Sequence, residues 1–232
     1  MIKSISLVFF LLFSFQSMAE TTQVLTAVSP PHRVALFELF TSEGCSSCPP
    51  ADRFMSRLKH AGISDRQLIP LAFHVTYWDK LGWQDRFADK QYDDRQRRQV
   101  MLNASRTVYT PQYMLDGKDF RNYKSMYSEI DQVNAQPAPY RLELSAVRDS
   151  NSVSIELDIR SEQGSDGTVV AYIALYEHNL NSVVTDGENE GEHLKHDYVV
   201  RELKGPFVIR QDRSEFKAAF TTADYKIADS GI

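Results

Sequence analysis

The two cysteines of this chain, Cys45 and Cys48, are its only cysteines, and two residues separate them. Thiols at this spacing can exchange a disulfide with another molecule, form an inert local bridge, or bind a soft metal ion. A bridge across so short a loop would stabilise the fold by only about 2 kcal/mol. The spacing therefore favours a redox or thiol role, with the structural bridge as the alternative.

The segments around the pair predict how the thiols are held. Residues 34–40 are nearly all apolar, which predicts a strand buried on both faces. Pro49 and Pro50 follow Cys48, and proline suits the first turn of a helix. Strand, Cys-x-x-Cys and helix start in this order are typical of a thioredoxin-like redox site. Because a helix N-terminus stabilises thiolate, we predict that Cys45 is the more exposed nucleophile and Cys48 the more buried resolving thiol.

The N-terminal residues predict export. Lys3 precedes an apolar run over residues 5–15, and Ser17-Met18-Ala19 is a small-x-small cleavage signal. The run is too short for a comfortable membrane span. We therefore expect a signal peptide over residues 1–19 and a periplasmic or secreted mature protein without a membrane anchor. Export would place the two thiols where disulfides can form.

Composition limits the partners. The chain of 232 residues has a formal net charge of −5, and loss of the signal peptide makes it about −6. A mildly acidic exported chain gives no reason to expect nucleic-acid binding. We expect no cofactor and a protein or small thiol or disulfide as substrate, while the oligomeric state stays open.

A second buried strand is predicted over residues 68–75, and an aromatic loop follows it. Tyr77, Trp78 and Trp83 lie in this loop, either as packing in a seam between domains or as the rim of the thiol site. His74, inside the apolar strand, is either a core residue or a proton shuttle for the thiols.

Thr110-Pro111 forms the next informative position. The proline heads a short strand that ends at Asp116-Gly117, a hairpin signal. Thioredoxin-like folds keep a cis-proline at this place, so we predict a cis Thr110–Pro111 bond facing the thiols. The charged segment before it, residues 85–107, reads as a solvated helix.

The domain organisation follows from changes in pattern. Residues 20–32 read as a linker, and residues 33–136 as a thioredoxin-like domain that closes with a helix over 122–135. From residue 140 apolar and polar residues alternate, which predicts a β-sandwich-like domain over 140–232. The predicted fold class is an α/β thioredoxin-like domain followed by a C-terminal antiparallel β-rich domain.

The loop over residues 186–196 carries four acids and two histidines. A cation site there is conceivable, but the spacing matches neither an EF-hand nor a zinc signature. The alternative is a polar loop that packs on the thiol domain or stays mobile.

These motifs together resemble a family of secreted bacterial thioredoxin-like proteins catalogued as a domain of unknown function. The stretches that carry the resemblance are residues 37–52, 74–83, 109–112, 187–189 and 199–201, together with His196. The resemblance implies a thioredoxin-like domain with a Cys-x-x-Cys and a β-rich extension. It implies no substrate, because the family has no assigned activity.

The chain departs from related patterns at several positions. The family usually carries an acid where Thr76 stands, so a proton relay through that acid would be lost or moved to Asp79. Gly44 and residues 46–47 replace the Trp and the Gly-Pro common in the wider thioredoxin class, so no redox potential can be transferred. The chain ends at residues 228–232, where one more apolar strand is expected. The sequence therefore leaves open the alternative that it is a fragment whose β domain has an unpaired sheet edge.

The leading hypothesis is an exported thiol–disulfide oxidoreductase. Cys45 would attack a substrate disulfide, Cys48 would resolve the mixed disulfide, and Thr110-Pro111 would present backbone to the substrate. Auxiliary candidates are His74, Trp78 and Asp79. Whether the protein acts as reductase, oxidase or isomerase stays open.

Two alternatives come from other classes. Cys45 and Cys48, with His74 or a loop histidine, could bind Cu(I) as a metal-binding module. The chain could instead be a non-enzymatic exported interaction protein whose β domain binds a partner and whose thiols form a structural disulfide.

Overall fold

The structure is a computed structural model that describes residues 23–149, 151–163, 168–210 and 212–222. The predicted signal peptide and the chain end at 228–232 lie outside the described residues. No helix within the described ranges is both long and apolar enough to cross a membrane.

Strands dominate the described residues. They are β1 (Gln23–Val28), β2 (Ala35–Thr41), β3 (Leu68–His74), β4 (Gln112–Leu115), β5 (Lys118–Asp119), β6 (Tyr140–Arg148), β7 (Ser152–Ser161), β8 (Val169–Glu177), β9 (Leu180–Val183), β10 (His193–His196), β11 (Val199–Ile209) and β12 (Arg213–Thr221). The α-helices are α1 (Pro49–Leu58), α2 (Lys90–Leu102) and α3 (Met126–Asn134). Short 3₁₀ turns cover Thr76–Leu81, Tyr123–Ser125 and Gly187–Asn189.

A six-stranded mixed sheet holds the cysteine segment, in the order β5-β4-β2-β3-β11-β8. β2 and β3 run parallel, from Ala35 opposite Leu68 to Thr41 opposite His74, and α1 connects them. β4 runs antiparallel on the other side of β2. The Cys-x-x-Cys therefore follows an interior strand, which explains why that strand is almost uniformly apolar.

Both faces of this sheet are covered. One cluster joins β2 residues Phe37 and Leu39 to buried side chains of α1 and α3. The other joins Phe40 and Phe73 to Tyr92 on α2. Alternate side chains of β2 thus enter opposite core layers, as the two-residue period of a strand requires.

A second sheet has four antiparallel strands in the order β1-β6-β7-β12. β8 and β11 follow residue 140 but belong to the six-stranded sheet, so the strands of this C-terminal region divide between the two sheets. Val199 and Val200 of β11 are fully buried. Two consecutive buried valines need cover on both faces of the sheet, and β11 pairs with β3 at this point, Val199 opposite Ala72.

The prediction of a linker over residues 20–32 is wrong for residues 23–28, which form β1. This strand pairs with β6, from Gln23 opposite Arg148 to Val28 opposite Glu143. β1 is an edge strand in which exposed residues such as Val24 and Val28 alternate with less exposed ones. Leu25 packs against the core of the second sheet. Its partner lies more than a hundred residues away, so local composition alone did not indicate a strand.

Candidate functional site

The thiol pair lies where β2 passes into α1. Cys48 occupies the N-cap position of α1, prolines begin the helix, and the Cys48 N–H donates to Cys45 O at 3.0 Å. Both cysteines are free thiols, and both have 0 % exposure. Solvent exposure therefore does not distinguish the two thiols, against the expectation that Cys45 is the more exposed one.

The electrostatics nevertheless separate the two thiols. A hydrogen bond from Cys48 is the largest effect on Cys45 and lowers its pKa from an ordinary 9.0 to about 6, against the opposing effect of burial. Ser47 Oγ lies 3.2 Å from Cys45 Sγ and lowers this pKa further. Burial raises the pKa of Cys48 far above its ordinary value, and the hydrogen bond with Cys45 adds to this effect. These shifts favour ionisation of Cys45 and retention of the proton on Cys48.

This assignment predicts a thiolate titration. Reduced protein should show the ultraviolet absorbance of one thiolate appearing with a midpoint near pH 6. Cys48→Ala should move the midpoint upward because it removes the donor, whereas Cys48→Ser, which keeps a hydroxyl donor, should move it less. Folding lowers the pKa of Cys45, so the stability of the reduced protein relative to Cys45→Ser should rise with pH between 6 and 9. This added stability should be lost as the pH falls through 6. A midpoint near 9 would contradict the assignment.

Thr110 and Pro111 lie beside Cys45. The Thr110–Pro111 bond is cis, so that prediction is confirmed. Cys45 Sγ lies 3.9 Å from Thr110 O, and Trp78 Nε1 donates to Thr110 Oγ1 at 2.7 Å. A Cβ at Gly44 would lie 3.4 Å from Trp78 Cβ. Trp78 therefore borders the segment between β2 and α1, residues 42–48, which we call the thiol loop. A large residue at position 44 would press against Trp78.

A segment that we call the strap, residues 186–191, crosses over the thiol loop. It connects β9 and β10, which pair with each other, and β10 contacts α1. Glu188 Oε2 accepts from Ser46 N–H at 3.1 Å and from Ser46 Oγ–H at 2.8 Å. Asn189 Nδ2 donates to Glu43 O at 2.7 Å and to Cys45 O at 3.0 Å. The predicted polar loop thus packs on the thiol loop, although Ser46 and Ser47 remain exposed.

Gly187 allows the strap to lie this close. Its φ is +76°, and an added Cβ would lie 3.2 Å from Trp83 Cβ and 3.3 Å from Leu81 O. Trp83 in turn donates from Nε1 to Glu43 Oε2 at 2.8 Å. The aromatic loop, the strap and the thiol loop therefore pack as one unit.

A buried cluster of titratable groups lies beneath the thiols. It contains Glu43, Asp52, His74, Asp85 and His196, each at most 5 % exposed. His196 Nε2 lies 3.2 Å from Glu43 Oε1, and His196 Nδ1 lies 3.8 Å from Asp52 Oδ2. His74 Nδ1 lies 2.6 Å from Asp85 Oδ2, and the two histidine rings are 5.0 Å apart between centroids. The carboxylate of Glu43 is thus engaged with His196 and Trp83.

The charges in this cluster are set by pairing as well as by burial. Although burial disfavours the imidazolium, the charge and hydrogen bond of Asp85 raise the pKa of His74. Burial opposes ionisation of Asp85 too, but His74 lowers its pKa. Burial raises the pKa of Asp52, and the nearby histidines only partly offset this effect. His74 and Asp85 therefore favour each other's charged form, and Asp52 is the carboxyl of this cluster whose pKa is raised.

The remaining candidates lie in other contacts. His74 pairs with Asp85, and none of its hydrogen bonds reaches a thiol. Asp79 accepts from the Asp85 N–H at 3.2 Å, and Thr76 donates twice to Asp93. Neither position provides a hydrogen-bonded path to Cys48. Among the described residues, no group of three or more His, Cys, Asp or Glu side chains could hold a metal ion, including those of the strap.

The segments that build this site also lie within a match to a known protein family. A family described as a protein of unknown function (DUF1223) matches residues 36–228, which include the thiol loop, the aromatic loop and the strap. The chain belongs to the DUF1223 family. No curated protein matches it.

Two solved structures are similar to this DUF1223 chain. Protein AGR_C_4864 from Agrobacterium tumefaciens is 25% identical, has a TM-score of 0.60, and the match covers 79% of this chain and 77% of that one. HBP35 of Porphyromonas gingivalis is 12% identical with a TM-score of 0.58, over 87% of this chain and 68% of that one. At 12% identity the second likeness bears on the fold alone.

Several residues of the site were not assigned a role from the sequence of this DUF1223 member. Asp52 is 5 % exposed and follows Cys48 by four residues on the same helix face. That spacing is the signal that could have found it. Thr41, Glu188 and Asn189 carry no comparable local signal, because their partners are set by the sheet pairing.

Proposed function

We propose that this DUF1223 protein is an exported thiol–disulfide oxidoreductase with a thioredoxin-like catalytic region. The observation that carries the proposal is the opposite tuning of two adjacent thiols: the pKa of Cys45 is lowered to about 6, whereas that of Cys48 is raised. An inert bridge has no need of such a difference. A pair that attacks with one sulfur and resolves with the other does need it.

The reaction proceeds in two exchanges. Cys45 thiolate attacks a substrate disulfide; a bond forms between Cys45 Sγ and one substrate sulfur, and the other substrate sulfur leaves as a thiolate that takes up a proton. Cys48 then attacks Cys45 Sγ and loses its proton. The second substrate thiol is released and a Cys45–Cys48 disulfide remains. A dithiol partner reverses these steps, and the redox potential relative to that partner sets the direction.

Two further features support the proposal. Thr110 O lies 3.9 Å from Cys45 Sγ, so the Thr110-Pro111 backbone is placed to border an incoming substrate segment. The order of strand, Cys-x-x-Cys, helix and parallel strand is that expected of a thioredoxin-like region. The predicted signal peptide would deliver the protein to a compartment in which disulfides persist.

The enclosure of the thiols adds a requirement. A protein disulfide cannot reach a sulfur with 0 % exposure, so the thiol loop or the segments packed on it must move before exchange. The same burial is the specific observation that favours the second candidate, a structural local disulfide in a non-enzymatic protein.

One titration distinguishes the two. The protein is equilibrated in glutathione buffers of graded potential, and its free thiols are counted by maleimide trapping, with Cys45→Ser and Cys48→Ser as controls. We expect one two-thiol transition at a potential above about −300 mV. A pair that stays oxidised throughout and never exchanges with glutathione would establish the structural bridge instead.

A further inference from the structure

A glutamine on the buried face of α2 is not used by the exchange described above. Gln96 follows Tyr92 by four residues and precedes Val100 by four, and all three side chains are buried. Gln96 has 0 % exposure, and a polar side chain buried to this degree needs partners for its hydrogen-bonding groups. The partners of Gln96 therefore indicate its role.

The two acceptors of the Gln96 amide nitrogen lie on either side of Thr110–Pro111. Nε2 donates to Tyr109 O at 2.8 Å and to Gln112 Oε1 at 2.8 Å. A side-chain amide nitrogen carries two N–H groups, so both are used. The amide oxygen accepts from the Tyr77 hydroxyl at 3.3 Å. Gln96 thus fastens the chain immediately before and immediately after Thr110–Pro111.

The orientation of both glutamine amides is fixed by the groups at the two ends of this network. Tyr109 O can only accept, so the nitrogen of Gln96 must face it. At the other end, Gln112 Nε2 and the Tyr109 hydroxyl donate to Asp119 Oδ1 at 2.9 and 2.7 Å. Burial opposes ionisation of Asp119, but the hydrogen bonds from Tyr109 and Gln112 lower its pKa and favour the carboxylate, which can only accept. A side chain without N–H donors at position 96 would therefore break the network.

The sheet ladder does not hold the segment that Gln96 fastens. β4 begins only at Gln112, and Pro111 has no N–H to donate. The carbonyl oxygen of Thr110 nevertheless lies 3.9 Å from Cys45 Sγ. The position of this backbone relative to the sulfur therefore depends on the two hydrogen bonds from Gln96.

We infer that Gln96 is a positioning residue that holds the Thr110–Pro111 backbone beside Cys45, where this backbone borders the peptide chain of a disulfide substrate. The inference rests on the proposed exchange activity. None of the hydrogen bonds of Gln96 reaches a thiol, so Gln96 acts through residues 109–112 and not on the reacting sulfur. Loss of its N–H donors should therefore slow exchange with a peptide disulfide and leave exchange with a small disulfide unchanged.

The test compares two disulfides on the reduced full-length protein. One is 5,5′-dithiobis(2-nitrobenzoate), which has no peptide chain, and the other is the symmetric disulfide of a short peptide that contains one cysteine. Gln96→Met keeps the length of the side chain and removes both N–H donors. We expect it to lower the second-order rate constant with the peptide disulfide about 10- to 100-fold. The loss should appear as a higher peptide concentration at half-maximal rate, measured by chromatography of the released peptide thiol.

Two readouts of the same variant should not move, and a second glutamine provides the matched control. The rate with the small disulfide and the thiolate midpoint of Cys45 near pH 6 should be those of the wild-type protein. Gln99 lies on the same helix, and its Nε2 donates to Glu38 Oε2 at 2.7 Å, away from residues 109–112. Gln99→Met should therefore leave the rates with both disulfides unchanged.

The outcomes are distinct. A wild-type protein that reacts with neither disulfide would overturn both the exchange activity and the role of Gln96. An unchanged rate with the peptide disulfide in Gln96→Met would overturn the role of Gln96 and leave the activity intact. Equal losses with both disulfides, or the same peptide-specific loss in Gln99→Met, would also overturn it, since either would indicate a general disturbance of the fold. If Gln96→Met does not fold, Gln112→Met, which removes one of the two hydrogen bonds, decides the question by the same comparison.

Discussion

Cys45→Ser is expected to abolish disulfide exchange, with a loss of about three orders of magnitude or more in the rate of attack on a small disulfide. The remaining thiol cannot replace it, because burial raises the pKa of Cys48 and leaves almost no thiolate at neutral pH. The loss should be seen as failure to release thiolate from 5,5′-dithiobis(2-nitrobenzoate), with folding checked by circular dichroism.

Cys48→Ser is the matched control. It keeps Cys45 and a hydroxyl donor beside it, so attack should continue and the mixed disulfide should accumulate because nothing resolves it. Mass spectrometry of the trapped adduct would identify the substrate in an extract of the source cells. If Cys48→Ser lost attack and Cys45→Ser kept it, the assignment of the two roles would be reversed.

Asn189→Ala is expected to speed alkylation of Cys45 by about 10- to 100-fold, because it removes the two buried hydrogen bonds from Asn189 that help to hold the strap to the thiol loop. The wild-type protein should react slowly for a thiol whose pKa is about 6, since its sulfur is enclosed. The measurement is the rate of iodoacetamide labelling at a pH where Cys45 is already ionised, so that only access differs between variants.

Matched substitutions on the same strap sharpen this result. Glu190→Ala changes an exposed strap residue and should leave the labelling rate unaltered. Glu188→Gln keeps an oxygen acceptor for Ser46 and should raise the rate less than Glu188→Ala does. Equal labelling of the wild-type protein and all four variants, at the rate of a free thiol, would show that the strap does not limit access to Cys45.

The cysteine segment was the part of the fold most open to prediction. An apolar run for a central strand and two prolines at a helix start are signals contained within a few residues. β2 and α1 therefore formed close to where expected, and α2 and α3 lie within the segments predicted as helices. β1 was missed, because an edge strand is stabilised by pairing with β6 rather than by its own composition.

The burial of Cys45 shows where local reasoning failed. A residue before a helix start is expected to be exposed, but Asn189 and Glu188 reach this loop from more than 140 residues away. Their sequence indicated a polar loop and nothing about its partner. The sequence left three alternatives for this loop: a cation site, a mobile loop, or a loop packed on the thiol region. The β9–β10 hairpin lies against α1, and this contact is what packs the loop on the thiol region.

The sequence by itself determined that two thiols stand between a buried strand and a helix, and that Thr110-Pro111 belongs beside them. The first feature follows from local apolar pattern and proline chemistry, and the second from the position that thioredoxin-like folds give to a cis-proline. Only the tertiary structure decided that both thiols are buried and that Thr41 and His196 lie beside Asp52. The reason is that β11 pairs with β3 and so brings the preceding hairpin onto α1, a long-range contact that no local pattern encodes.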